Sequence, residues 1–162
     1  MDEMEERFRR LCREELDYLR GGVFRIVGNA ADTDDVIQEA LVRAYVASGS
    51  FRGLSKFSTW LFRIAYNCYI DHTRRVRPER VPLEDRAALR VPSDDASDAS
   101  FRYQALYQAL DRLPEKEKAV IALFYFEDRS IREMADILQM PSGTIKYHLS
   151  MGRNHLKAYI RL

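Results

Sequence analysis

The chain has 162 residues, of which 46% are hydrophobic and 31% charged, and its formal net charge is +1. That balance excludes a disordered or fibrous chain, and no apolar run approaches the roughly 18 residues that a bilayer span requires. The acidic opening Met1-Asp2-Glu3-Met4-Glu5-Glu6 lacks the apolar core of a secretory signal, so a cytoplasmic protein is expected.

Along the chain, helical spacing of apolar residues predicts a first helix near 3–28 and a second near 33–48. Asp32-Thr33-Asp34 is expected to start the second, because short polar side chains cap free amides and favour the positive helix end. Val36, Ile37, Ala40, Leu41, Ala44 and Tyr45 then follow the helical period. A loop bracketed by Gly49 and Gly53 leads to a third helix at 58–75, with Ser58 or Thr59 as its cap. Trp60, Leu61, Ile64, Ala65 and Cys68 form its inner stripe, and Arg63, Asn67, Asp71 and Arg74 the opposite one. Asp71 is expected to pair with Arg74 or Arg75. Cys12 and Cys68 are too few for a disulfide scaffold and lack metal-ligand spacing, so two reduced, partly buried thiols are expected, with no metal and no cofactor.

Residues 76–100 break the helical pattern. Three of the five prolines fall there, and Ser and Asp crowd the second half. Proline blocks helix continuation and biases its predecessor to extended backbone. This reads as a flexible linker, dividing the chain into an N-terminal domain at 1–75 and a C-terminal domain at 101–162. Beyond it, helices are expected at 101–112, ending at Leu113-Pro114, and at 115–126. Ser130-Ile131-Arg132-Glu133 is a capping box opening a short helix to Leu138. Gln139-Met140-Pro141 interrupts it, and Ser142 is expected to cap a last helix to about Ile160. No segment alternates apolar and polar residues long enough to suggest a sheet, so the fold class is all-α: two small helical domains, the second containing a helix-turn-helix.

The charges are unevenly placed. Residues 1–40 hold eleven acids and six bases, residues 51–77 six bases and one acid, and no acid follows Asp136. Two basic zones on a nearly neutral chain suit two contacts with an anionic polymer. In a helix-turn-helix the second helix enters the DNA major groove, and here its early positions are Ser142, Thr144, Lys146, Tyr147, His148 and Ser150, with Arg153 further on. Hydroxyl and lysine groups can donate to base edges and phosphates, while Ile145 and Leu149 should face the core. A plain helical hairpin fits the same spacing. On helix 58–75, Asn67 can hydrogen-bond a base, and Arg63, Arg74 and Arg75 suit phosphates. The preceding loop offers Phe51 and Lys56 and could hold an unstacked base. A merely solvated surface fits each of these residues equally. An enzyme is not expected: His72, His148 and His155 lie in basic helices, and there is no glycine-rich phosphate loop and no nucleophile beside an evident base. A stand-alone helix-turn-helix regulator would need a ligand or phosphorylation domain, and the first half offers no βα pattern for one. A purely protein-binding helical module ranks behind it.

Four stretches together resemble the extracytoplasmic-function (ECF) sigma factors of bacterial RNA polymerase. They are Gly28-Asn-Ala-Ala-Asp-Thr-Asp-Asp-Val-Ile-Gln-Glu-Ala-Leu-Val-Arg-Ala-Tyr45; Phe51-Arg-Gly with Phe57-Ser-Thr-Trp-Leu-Phe-Arg-Ile-Ala-Tyr-Asn67 and Asp71; Leu113-Pro-Glu with Val120; and Met140-Pro-Ser-Gly-Thr-Ile-Lys146. The resemblance implies that the acidic helix docks on the polymerase β′ coiled coil through Asp35, Gln38, Glu39 and Arg43, with Leu41 partly packed. Loop 51–57 and the helix after it would recognise and open the −10 promoter element, with Asn67 reading a base. The last helix would read the −35 element, and the linker would thread through the β and β′ core near the RNA path. An anti-sigma protein is an implied partner. Tyr147, His148 and Met151 depart from the family's usual pattern, so the −35 sequence does not carry over from relatives. No further C-terminal regulatory domain is expected.

Overall fold

A computed structural model describes residues 3–53, 55–76 and 98–160. Seven α-helices occur among them: α1 (Glu3–Val27), α2 (Ala30–Val46), α3 (Phe57–Val76), α4 (Asp98–Arg112), α5 (Glu115–Ile121), α6 (Ile131–Leu138) and α7 (Ser142–Ile160). No strand is present among the described residues. The expected linker lies outside them from 77 to 97; its first residue ends α3, and Asp98, Ala99 and Ser100 open α4.

Local chemistry sets the helix ends, and not always where expected. Gly28, with φ of +81°, closes α1 in a conformation that costs glycine least. Asn29 then caps α2, its side chain accepting the Asp32 amide at 3.0 Å, so α2 starts at Ala30, three residues before the expected start at 33. Thr33 is buried inside the first turn and donates to the Asn29 carbonyl at 2.6 Å. Neither Ser58 nor Thr59 caps α3, which already begins at Phe57; their hydroxyls turn toward Arg129 in the C-terminal half. The capping box at Ser130 and Glu133 forms as expected. Helix α6 closes on Gln139 in the left-handed region, with φ of 55°. Ser142 is the first residue of α7 rather than its cap, because the Ile145 amide bonds the Pro141 carbonyl at 3.1 Å. The helix expected to reach Phe126 is α-helical only to Ile121, followed by a π turn at Ala122–Phe126. That wider turn lets the Arg129 amide reach the Leu123 carbonyl at 3.0 Å.

The inner stripe of α3 is buried at Trp60, Leu61, Ala65 and Cys68, and Ile64 is half-buried. Phe62, Tyr66 and Thr59 are buried as well, on the side where α6 crosses α3. The two halves therefore share one continuous apolar core. Gly22 makes room for this contact: a Cβ there would sit 2.6 Å from the Phe62 ring and 3.1 Å from the Glu127 carboxyl carbon. Cys12 and Cys68 are both free, and burial pushes each thiol up to about 11, well above its reactive range.

Candidate nucleic-acid interface

Helix α2 exposes Asp35 and Gln38, with Glu39 and Arg43 half-buried on the flank. Successive turns bring Asp35, Glu39, Val42 and Val46 onto one stripe. Val42 is 64% and Val46 80% exposed. Sequence reasoning passed over both valines; their signal is two β-branched apolar residues four apart, off the inward-facing period. On the flank, Arg43 donates to Glu39 at 2.6 Å and to Asp71 at 2.9 Å, and Arg75 donates to Glu39 at 3.0 Å. Asp71 thus pairs with Arg43 across the helix interface, not with Arg74 or Arg75, because α2 brings a guanidinium opposite it. The hydrogen bond from Arg75, with Arg43 assisting, holds the Glu39 carboxyl below its ordinary range; the bond that Arg43 donates to Asp71 raises Arg43.

The loop before α3 is built on aromatic packing. The Phe51 ring lies 5.6 Å from Phe57 and 5.2 Å from Trp60, and Phe8 of α1 meets Phe57 at 5.9 Å. An open cleft of about 480 Å³ lies beside them, bordered by Phe8, Tyr45, Arg52 and Gly53. Phe8 and Tyr45 were not among the expected site residues, because only the fold brings α1 and the end of α2 to this loop. Gly53, with φ of +73°, turns the chain at the cleft rim.

On α3 itself the expected residues divide. Asn67, Arg74 and Arg75 are exposed, as is Lys56 just before the helix. Arg63 is half-buried, its Nη1 donating to Asp136 of α6 at 3.1 Å. Burial pushes the Tyr66 hydroxyl up to about 12, with the Glu115 carboxylate adding to the effect.

Helix α7 displays most of the expected set. Ser142, Lys146, Tyr147, Ser150 and Arg153 are exposed, Thr144 and His148 are half-buried, and Ile145 and Leu149 are buried beneath them. Tyr147 meets the His148 ring edge-on at 5.4 Å. Arg153 is held over the π turn, donating to the Tyr125 hydroxyl at 2.5 Å, with its guanidinium 5.4 Å from the Phe124 ring centre. This fixes a cation at the edge of the exposed face. Among the described residues no group of three or more His, Cys, Asp or Glu side chains could hold a metal, and no helix is long and apolar enough to cross a membrane.

Comparison with known proteins identifies the family. The Sigma-70 region 2 family matches residues 11–79, and the Sigma-70, region 4 family matches residues 103–156. The chain is 34% identical to the ECF RNA polymerase sigma factor SigW of Bacillus subtilis, over 85% of this chain and 80% of that protein. It is 33% identical to the RNA polymerase sigma-H factor of Pseudomonas aeruginosa, over 82% of this chain and 75% of that one. Among solved structures, the sigma factor RpoE of Bartonella quintana, crystallised with the anti-sigma factor NepR, superposes with a TM-score of 0.76, covering 97% of this chain and 98% of that one at 24% identity. The chain belongs to the ECF sigma factors and is an RNA polymerase sigma factor that directs promoter recognition.

Proposed function

We propose that promoter recognition is divided between two domains, 1–75 and 101–162, and that three surfaces carry it. The α2 stripe of Asp35, Gln38, Glu39 and Arg43, extended by Val42 and Val46, docks on core polymerase. Carboxylates around exposed valines suit a protein partner far better than a phosphate backbone. Lys56, Arg63, Asn67, Arg74 and Arg75 engage the −10 element, with Asn67 hydrogen-bonding a base and the cations holding phosphates. The aromatic cleft beside Phe51 falls in the size range of small-molecule pockets and takes an unstacked base. Ser142, Thr144, Lys146, Tyr147, His148, Ser150 and Arg153 face the −35 duplex. Bond-making chemistry stays with the polymerase, so the chain needs no catalytic group or cofactor of its own. The site of action is the cytoplasm, and an anti-sigma protein restrains it, as in the Bartonella complex.

One observation carries this reading. Helix α7 follows a capped helix and a left-handed turn, exposes Lys146, Tyr147 and Ser150 on one side, and lies in a segment without acids. Its test separates the surfaces. Asn67→Ala should lower open-complex formation by roughly tenfold or more, the equivalent of losing one base contact, while polymerase binding stays normal. Asp35→Lys should do the reverse and abolish co-purification with core enzyme. If Asn67→Ala weakens polymerase binding as much as open-complex formation, its place at DNA is wrong.

A further inference from the structure

One of the cations proposed to hold the −10 strand, Arg63, faces a carboxylate on α6. Arg63 donates to Asp136 at 3.1 Å, with the two side chains 34% and 35% exposed. One turn earlier, the Thr59 hydroxyl donates to Glu133 at 3.2 Å, and Thr59 is buried. Burial works to raise the Glu133 carboxyl, yet the Ser130 amide, Arg129 and the nearby Lys56 outweigh it and leave Glu133 below its ordinary range. Thr59 and Arg63 are four apart on α3, and Glu133 and Asp136 three apart on α6, so two helix faces meet along matched rows.

The contact extends on both sides. Arg129 donates to Ser58 at 3.0 Å and to Thr59 at 3.3 Å, and lies over the Phe62 ring at 6.0 Å. Arg25 of α1 donates to Glu127 at 2.5 Å. A carboxylate placed before Lys or Arg supplies what a phosphate supplies, an anionic oxygen within hydrogen-bond reach. Ion pairs this exposed are weak enough to exchange.

We propose that Glu133 and Asp136 act as an internal mimic of the DNA backbone: in the free chain Asp136 occupies Arg63 and Glu133 occupies the Thr59 hydroxyl one turn away, and the promoter strand gains this face of α3 only when α6 moves off it. The proposal rests on the assignment of Lys56 and Arg63 to the −10 element. It gives α6 a second role, beyond supporting the −35 helix.

The test uses the full chain carrying Glu133→Gln and Asp136→Asn. Glutamine preserves the capping box and asparagine the size of the aspartate, so α6 keeps its ends. A control with Glu14→Gln and Asp17→Asn makes the same change in net charge at exposed positions of α1. The probe is a fluorescent random-sequence single-stranded DNA, and small-angle scattering reads the separation of the halves. The α6 variant should have a larger radius of gyration and bind the probe about fivefold more tightly than the control, because apparent affinity scales with the competent fraction. Asp136→Asn alone, which leaves the cap intact, should gain about twofold by the same relation. Unchanged dimensions, or binding no tighter than the control, would overturn the proposal. A separate chain with Lys56→Ala and Arg63→Ala, assayed with core polymerase, reads the −10 assignment itself. Normal open complexes there would remove that assignment. Impaired open complexes there, without any gain in the α6 variant, would remove the mimicry alone.

Discussion

The two basic helices hold their charges in opposite states. On α3, Arg63 meets Asp136 and Arg75 meets Glu39. On α7, Lys146 and Arg153 meet no carboxylate among the described residues, and Arg153 rests instead on the Tyr125 hydroxyl. Composition explains the difference. No acid follows Asp136, whereas α3 lies between α2, with its acidic stripe, and α6, with Glu133 and Asp136. A helix whose cations stand free can meet phosphate at once. One whose cations are paired must first exchange partners, so on the proposed assignments strand capture by α3 would be open to control in a way that groove entry by α7 would not.

The largest effect should come from the residue that supports the paired side. Phe62 is 1% exposed, lies against Gly22 of α1 and sits under the Arg129 guanidinium. Phe62→Ala removes that ring from a filled core and should cost about 3–5 kcal/mol, lowering Tm by roughly 6–20 °C. Calorimetry checks it. A loss below about 1 kcal/mol would mean that the ring is not the wedge its burial implies, and the contrast between a supported α3 and a free α7 would weaken.

A second comparison sets one cation from each helix side by side. Lys146→Glu should weaken −35 duplex binding by roughly tenfold at low salt and reduce the salt slope by about one, since a freely exposed cation is lost from the phosphate footprint. Arg63→Ala in the free chain should change single-stranded DNA binding by less than about twofold, because Asp136 already engages that arginine. In the chain carrying Glu133→Gln and Asp136→Asn, the same Arg63→Ala should become costly. Titration with labelled DNA at several salt concentrations decides. Equal effects of Arg63→Ala in both backgrounds would erase the distinction between the helices.

Much of this was legible from residue order. The apolar periods of α2, α3 and α7 predicted their buried faces, and Ser130 with Glu133 predicted the start of α6, because these are local relations along one helix. What escaped was set by parts distant in sequence. Thr59 read as a cap because it carries a hydroxyl at the helix start, yet α6, more than seventy residues later, buries it. Asp71 had basic neighbours at three and four positions, yet Arg43 of α2 lies opposite it at 2.9 Å. The aromatic cleft combines α1, α2 and the 51–57 loop, so only the loop's share was visible. The exposed Val42 and Val46 were hidden among the inward-facing Val36, Ile37, Ala40 and Ala44, and Tyr45, expected on that inward period, is itself 50% exposed.

The smallest expected effect concerns pH, and it isolates Glu133. Its carboxyl lies below the ordinary value of 4.5 in the folded chain. A depressed folded value means that the ionised form is favoured by folding. Its contribution is therefore fully present above about 4.5 and is lost as pH falls through the lower folded value. Asp136, Arg129 and Arg63 lie along the same contact, with Lys56 nearby. The two halves should thus separate progressively on acidification below about pH 4.5, before global unfolding, as read by energy transfer between dyes placed on α1 and α7. Glu133→Gln should flatten that response. Because Lys146 faces no carboxylate, duplex binding by α7 should show no matching step. A step of equal size there would mean that the acid response belongs to the whole chain rather than to the contact between α3 and α6.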